Sequence, residues 1–157
     1  MENNEKYEFI PVNSAIAERQ VTDSILQCNE VTEKYGLSLT QQQASALAKT
    51  RMTSLKETGR IEFGNGITDK LIMAVCDSPY ITQENYEETL HELISLFYNL
   101  KNDTWDRVSD NDLIDFIRTA FNGICRGSLD LLAGKSLQLA RHIHGGGRFE
   151  TFSMEEK

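Results

Sequence analysis

Leu39-Thr40-Gln41-Gln42-Gln43 opens a helical pattern, and Gly59, nineteen residues after the threonine, closes it. The Thr-x-x-Gln spacing is that of a capping box, in which two backbone N–H groups at the helix start find side-chain acceptors. Between start and stop, Ala44, Leu47, Ala48, Met52 and Leu55 fall on one stripe at 100° per residue. Lys49, Lys56 and Arg60 gather away from that stripe, and only Arg51 interrupts it, between Leu47 and Leu55. The spacing predicts an amphipathic helix over residues 40–58 that buries one face.

Similar punctuation recurs in both directions. Before it, Val21, Ile25, Cys28, Val31 and Tyr35 step by three and four residues to Gly36, which predicts a first helix from Thr22 or earlier. After it, Gly64-Asn65-Gly66 turns the chain into a third helix, Ile67–Asp77. Leu71 to Cys76 is apolar on nearly every side, which places this helix at the centre. Pro79 ends it. Thr82 caps a fourth helix, with Ile81 and Tyr86 as a hydrophobic staple and Tyr86, Leu90, Leu93, Ile94, Phe97 and Leu100 on the buried side. Ser109 caps a fifth, with Val108 against Leu113, and Gly123 follows it. Ser128 opens a sixth, whose inner face is Leu132, Ala133, Ser136, Leu139, Ala140 and Ile143, and Gly145-Gly146-Gly147 ends it.

These signals specify an all-α protein, a compact bundle of five or six helices around a central one. Three stretches leave room for a minor two- or three-stranded β pairing: residues 7–10, before Pro11, residues 60–63 and residues 148–152. The expected organisation is a polar N-terminal segment over 1–12, a single helical domain over 13–147, and a flexible tail over 148–157, with Phe149 and Phe152 able to dock. A chain of 157 residues can bury about two-thirds of its unfolded surface without disulfides. Three widely separated cysteines, Cys28, Cys76 and Cys125, suit a reducing cytoplasm, and the polar start Met1-Glu2-Asn3-Asn4 does not suit secretion.

The net charge of −8 argues against nucleic acid, whose binding depends on neutralising phosphates with Lys and Arg. Charge is nonetheless segregated: residues 34–60 carry +4, while residues 1–33 carry −5 and residues 61–100 carry −6. The longest apolar run, Leu71–Cys76, is far too short for a membrane span.

Arg51 on an apolar stripe calls for a carboxylate, Glu62, Asp77 or Asp115, or for a bound anion, because an unpaired buried charge costs several kcal/mol. Other candidate chemistry falls short. Residues 101–112 imitate a Ca²⁺ loop, but Lys101 occupies the first ligand position. Cys125-Arg126-Gly127-Ser128 places a thiol before a helix start, yet Leu131 stands where a phosphatase loop needs arginine. His142 and His144 are two apart and share no helix face, and His91 follows Glu87 by four as a surface pair. No catalytic residue, metal ligand or cofactor is assigned.

Four phrases carry a resemblance: Gly59-Arg60-Ile61-Glu62-Phe63-Gly64, Cys76-Asp77-Ser78-Pro79-Tyr80-Ile81, Ser109-Asp110 with Leu113, and Phe121-Asn122-Gly123 through Cys125 to Gly127-Ser128-Leu129. Together, over roughly residues 22–140, the chain resembles an uncharacterised family of small proteins from Gram-positive anaerobes, a domain of unknown function. The resemblance implies a bacterial cytoplasmic setting and no activity. From the residues themselves, the expected function is a non-enzymatic protein-interaction module, with an unidentified protein or a second copy as partner. The alternative is a small-molecule or anion-binding protein, conceivably an enzyme, whose pocket between the second and third helices is lined by Arg51, Arg60, Glu62, Asp77 and Tyr80.

Overall fold

The computed structural model describes residues 2–62 and 66–153, with side chains from residue 15 onward. Six helices make up the bundle: α1 (Glu2–Gln27), α2 (Gln41–Thr58), α3 (Thr68–Val75), α4 (Tyr86–Asp103), α5 (Asp110–Asn122) and α6 (Leu129–His144). One helical turn, Asn29–Thr32, and a 3-10 turn, Glu33–Tyr35, prolong α1, and a second 3-10 turn, Phe149–Thr151, follows α6.

The caps of α2, α5 and α6 form where the sequence places them, whereas α4 starts from Asn85 rather than Thr82. Gln43 N–H donates to Thr40 Oγ1 at 3.1 Å, and Thr40 N–H donates to Gln43 Oε1 at 2.9 Å, so α2 starts with both reciprocal bonds. Gly59 closes it in the left-handed region at φ +67°, where a Cβ would be strained. Ser109 and Ser128 accept from the N–H groups of Asp112 and Leu131, each at 3.1 Å. Thr82 and Asn85 exchange the same pair of bonds, and regular helix begins after them at Tyr86. Before α2, the Asn29 amide both donates to Leu39 O and accepts from Leu39 N–H, each at 3.0 Å, and so clips the approach to α2 onto the end of α1.

α2 packs chiefly against α1 and α4, while α4 also touches α3, α5 and α6. The central position therefore belongs to α4, not to the Ile67–Asp77 stretch. α3 buries Thr68, Leu71, Ile72 and Val75 but leaves Lys70 and Met73 in solvent, because a helix at the bundle's edge needs only one apolar face. Two other stripes shift. Thr32, rather than Val31 or Tyr35, is buried: it lies nearer the line of Val21, Ile25 and Cys28, and its hydroxyl is satisfied by Leu37 O at 2.8 Å. On α6, Ala133 faces outward.

No strand occurs among the described residues, so the minor β pairing does not form there. Residues 7–10 lie within α1. Ile61 and Glu62 alternate for a different reason than a ladder: Ile61 points to solvent at 83 % exposure, while Glu62 points inward to an arginine. Phe149 and Phe152 pack against the core, because a 3-10 turn eclipses residues three apart. Phe63, with Gly64 and Asn65 of the turn before α3, lies outside the described residues.

Candidate functional site

Arg51 lies in the middle of α2 and is 2 % exposed. Its Nε donates to Glu62 Oε1 at 2.8 Å. The hydroxyl of Tyr98, on α4, donates to the same oxygen. One carboxylate from the segment after α2 thus joins a guanidinium of α2 to a phenol of α4. Burial, followed by the bond to Glu62 and its charge, pushes the Tyr98 hydroxyl far above the ordinary tyrosine range, so it stays a neutral donor. The backbone beneath is fitted to this arrangement. Gly66 sits at φ +68°, and a Cβ on it would fall 1.9 Å from Glu62 Oε1.

Above Glu62 and Tyr98 opens a polar depression of about 230 Å³, also lined by Leu55, Arg60, Lys101 and Asp110. Its cations are engaged within the chain. Arg60 pairs with Asp106, whose carboxyl is held below its ordinary range chiefly by that hydrogen bond. Lys101 Nζ contacts Asp110 Oδ1 at 2.8 Å and donates to Val108 O at 2.7 Å. The lysine that spoils the calcium-loop pattern therefore ties the loop down.

Of the five residues proposed for a pocket, the structure gathers Arg51, Glu62 and Arg60 at this place, between α2 and α4. Asp77 and Tyr80 are engaged elsewhere. Asp77 Oδ1 pairs with Arg118 Nη1 on α5 at 2.8 Å, and this bond holds the Asp77 carboxyl low. Tyr80 stands edge-on to Phe121, 6.4 Å between ring centroids, with its ring against Gly127. Tyr98 is the site residue that sequence reasoning missed. It falls four residues after Ile94 on the buried side of α4, and a tyrosine there needs a partner for its hydroxyl.

The remaining chemistry-bearing residues are structural in placement. Cys125 is buried, and burial raises its thiol above the usual range. Cys28 is pushed up to about 12, by burial first and then by Asp69. Thr50 Oγ1, His91 and Glu87 form a hydroxyl–imidazole–carboxylate line, 2.6 Å to Nδ1 and 3.1 Å from Nε2, that bridges α2 and α4. The hydroxyl sits on the flank of a continuous helix, whose N–H groups are committed to the helix and cannot stabilise an oxyanion. His142 Nε2 lies 2.8 Å from Arg148 O, and His144 Nε2 lies 2.7 Å from Asp103 O. The His144 ring stacks on Trp105 at 3.9 Å, with the Arg107 guanidinium 4.9 Å from the indole's centre. No group of three metal-binding side chains occurs among the described residues. Nor, among them, is any helix long and apolar enough to cross a membrane.

Residues 24–148 match the family described as Family of unknown function (DUF6323). The chain belongs to this family. The matched span runs from the last turn of α1 through α6 and contains the Arg51–Glu62–Tyr98 cluster. No curated protein and no solved structure matches the chain.

Proposed function

We propose that this member of the family is a non-enzymatic protein-interaction module, in a bacterial cytoplasmic setting, and that its docking face is the outer side of α6. The carrying observation is a pair of leucines, Leu131 at 56 % and Leu137 at 51 % exposure, on a helix whose other face is buried in the bundle. A single exposed leucine is ordinary, but two on the outer side of one helix, with an apolar hollow at its end, make a patch of the kind that marks a contact surface. Beyond Leu137, at the end of α6, lies an apolar hollow of about 460 Å³ bordered by Gln138, Arg141 and Phe152. Segregated charge along the chain adds a means of choosing partners.

A photo-reactive amino acid placed at position 137 tests this inside cells that make the protein. Discrete adducts, to any protein, are expected; irradiation that yields only unmodified chain refutes the module. A second reading, a small anionic ligand in the depression beside Glu62, is supported by that site's polar lining. It predicts a ligand-dependent rise in melting temperature that Arg51→Met abolishes.

A further inference from the structure

We infer that the occupant of the α6 face is a second copy of this chain, docked antiparallel across a two-fold axis at Gly134; this rests on the docking face proposed above. The argument is the self-complementarity of one helix. Outward from α6 point Asp130, Leu131, Gly134, Leu137, Gln138 and Arg141, all exposed. Gly134 lies opposite the buried line of Leu132, Ser136, Leu139 and Ile143, and space beyond its Cα is open to at least 4 Å. Residues 131 and 137 sit about 4.5 Å on either side of it along the axis, at 1.5 Å per residue. They lie on opposite flanks of the glycine line.

A two-fold axis beside Gly134 therefore brings Leu131 of one copy level with Leu137 of the other, each on its own side of the seam. Two glycines facing each other let the helices approach closely. The same operation sets the charges. Helical side chains lean toward the N-terminus, so Arg141 reaches back to the level of residue 138, which faces residue 130 of the second copy. Asp130 waits there. Among the described residues neither Asp130 nor Arg141 has an ion-pair partner within its own chain. Parallel docking would instead set Asp130 beside Asp130 and Arg141 beside Arg141, which disfavours it.

A single helix face buries less than a standard interface, so the dimer should be reversible, half-formed at roughly 1–100 μM. Sedimentation velocity over a concentration series should show the 17.8 kDa chain shifting to twice that mass. Leu137→Glu, and Gly134→Lys, which sets like charges against each other at the axis, should each hold it monomeric and folded, with Gly134→Lys melting somewhat higher because lysine favours a helix interior over glycine. Asp130→Arg and Arg141→Asp should each weaken the dimer at least tenfold, and the double exchange should restore it. A chain that stays monomeric at the highest concentration, or dimerises regardless of these changes, overturns the inference. Adducts from position 137 that contain only a different protein also overturn it while leaving the interaction module standing.

Discussion

Removing the Glu62 carboxylate is the sharpest test of how α2 and α4 are joined. Glu62→Ala takes away the group that Arg51 and Tyr98 share, while Arg51 remains 2 % exposed. Removing one partner of a buried pair costs about 3–5 kcal/mol. Glu62 is 18 % exposed, so the lower end applies: a loss of about 3 kcal/mol, or about 6–12 °C in melting temperature for a domain of this size. Replacing all three polar groups by apolar ones of similar volume, Arg51→Met with Glu62→Leu and Tyr98→Phe, removes the three linked polar groups together. That variant should be neutral or more stable by up to about 4 kcal/mol. Arg51→Met alone should be neutral or lower the melting temperature. Urea unfolding followed by circular dichroism measures each difference. A Glu62→Ala loss below about 1 kcal/mol, or a triple variant as weak as the single one, would refute the account of the cluster as a coupled unit.

Alkaline titration followed at 295 nm should show Tyr86 and Tyr98 ionising only as the protein unfolds. Both hydroxyls are raised by burial, Tyr86 to about 12, so the stability they confer is complete below the unfolded value of about 10 and falls as pH climbs through and beyond it. All tyrosines titrating together near pH 10 in the folded state would contradict this. Asn29→Ala should cost about 1–3 kcal/mol by stranding both backbone groups of Leu39, read from the same urea curves. Cys28, Cys76 and Cys125 are buried thiols with raised pKa values, so a thiol reagent at pH 8 should label them at the rate of unfolding. Fast labelling of any of the three in the native protein would show an opening absent from this fold.

Helix starts and stops were legible because capping is local chemistry: Thr40 with Gln43, Ser109 with Asp112 and Ser128 with Leu131 need only a few residues to be recognised. Helix order was equally plain. What periodicity could not supply was neighbourhood. Leu71–Cys76 is apolar enough for a centre, yet α4, with four helices around it, holds that place. Thr32 is buried although polar, since its hydroxyl bonds a nearby backbone carbonyl, a compensation that hydropathy does not register. At the site, a carboxylate partner for Arg51 was foreseeable from the cost of burying charge, and Glu62 was among the candidates. Tyr98 was not, because its role depends on the rotation of α4 against α2. The dispersal of Asp77 and Tyr80 has the same origin: Arg118 and Phe121 lie some forty residues further along the chain.

Trp105 is the protein's single tryptophan, and it lies flat on the last residue of α6. Nature has in effect fitted an optical probe to one joint of the molecule. Indole emission reports whether the far end of α6 is seated on the loop between α4 and α5, whereas far-ultraviolet ellipticity averages over all six helices. Where the two signals part during heating, the joint has come loose ahead of the bundle; where they coincide, it melts with the whole.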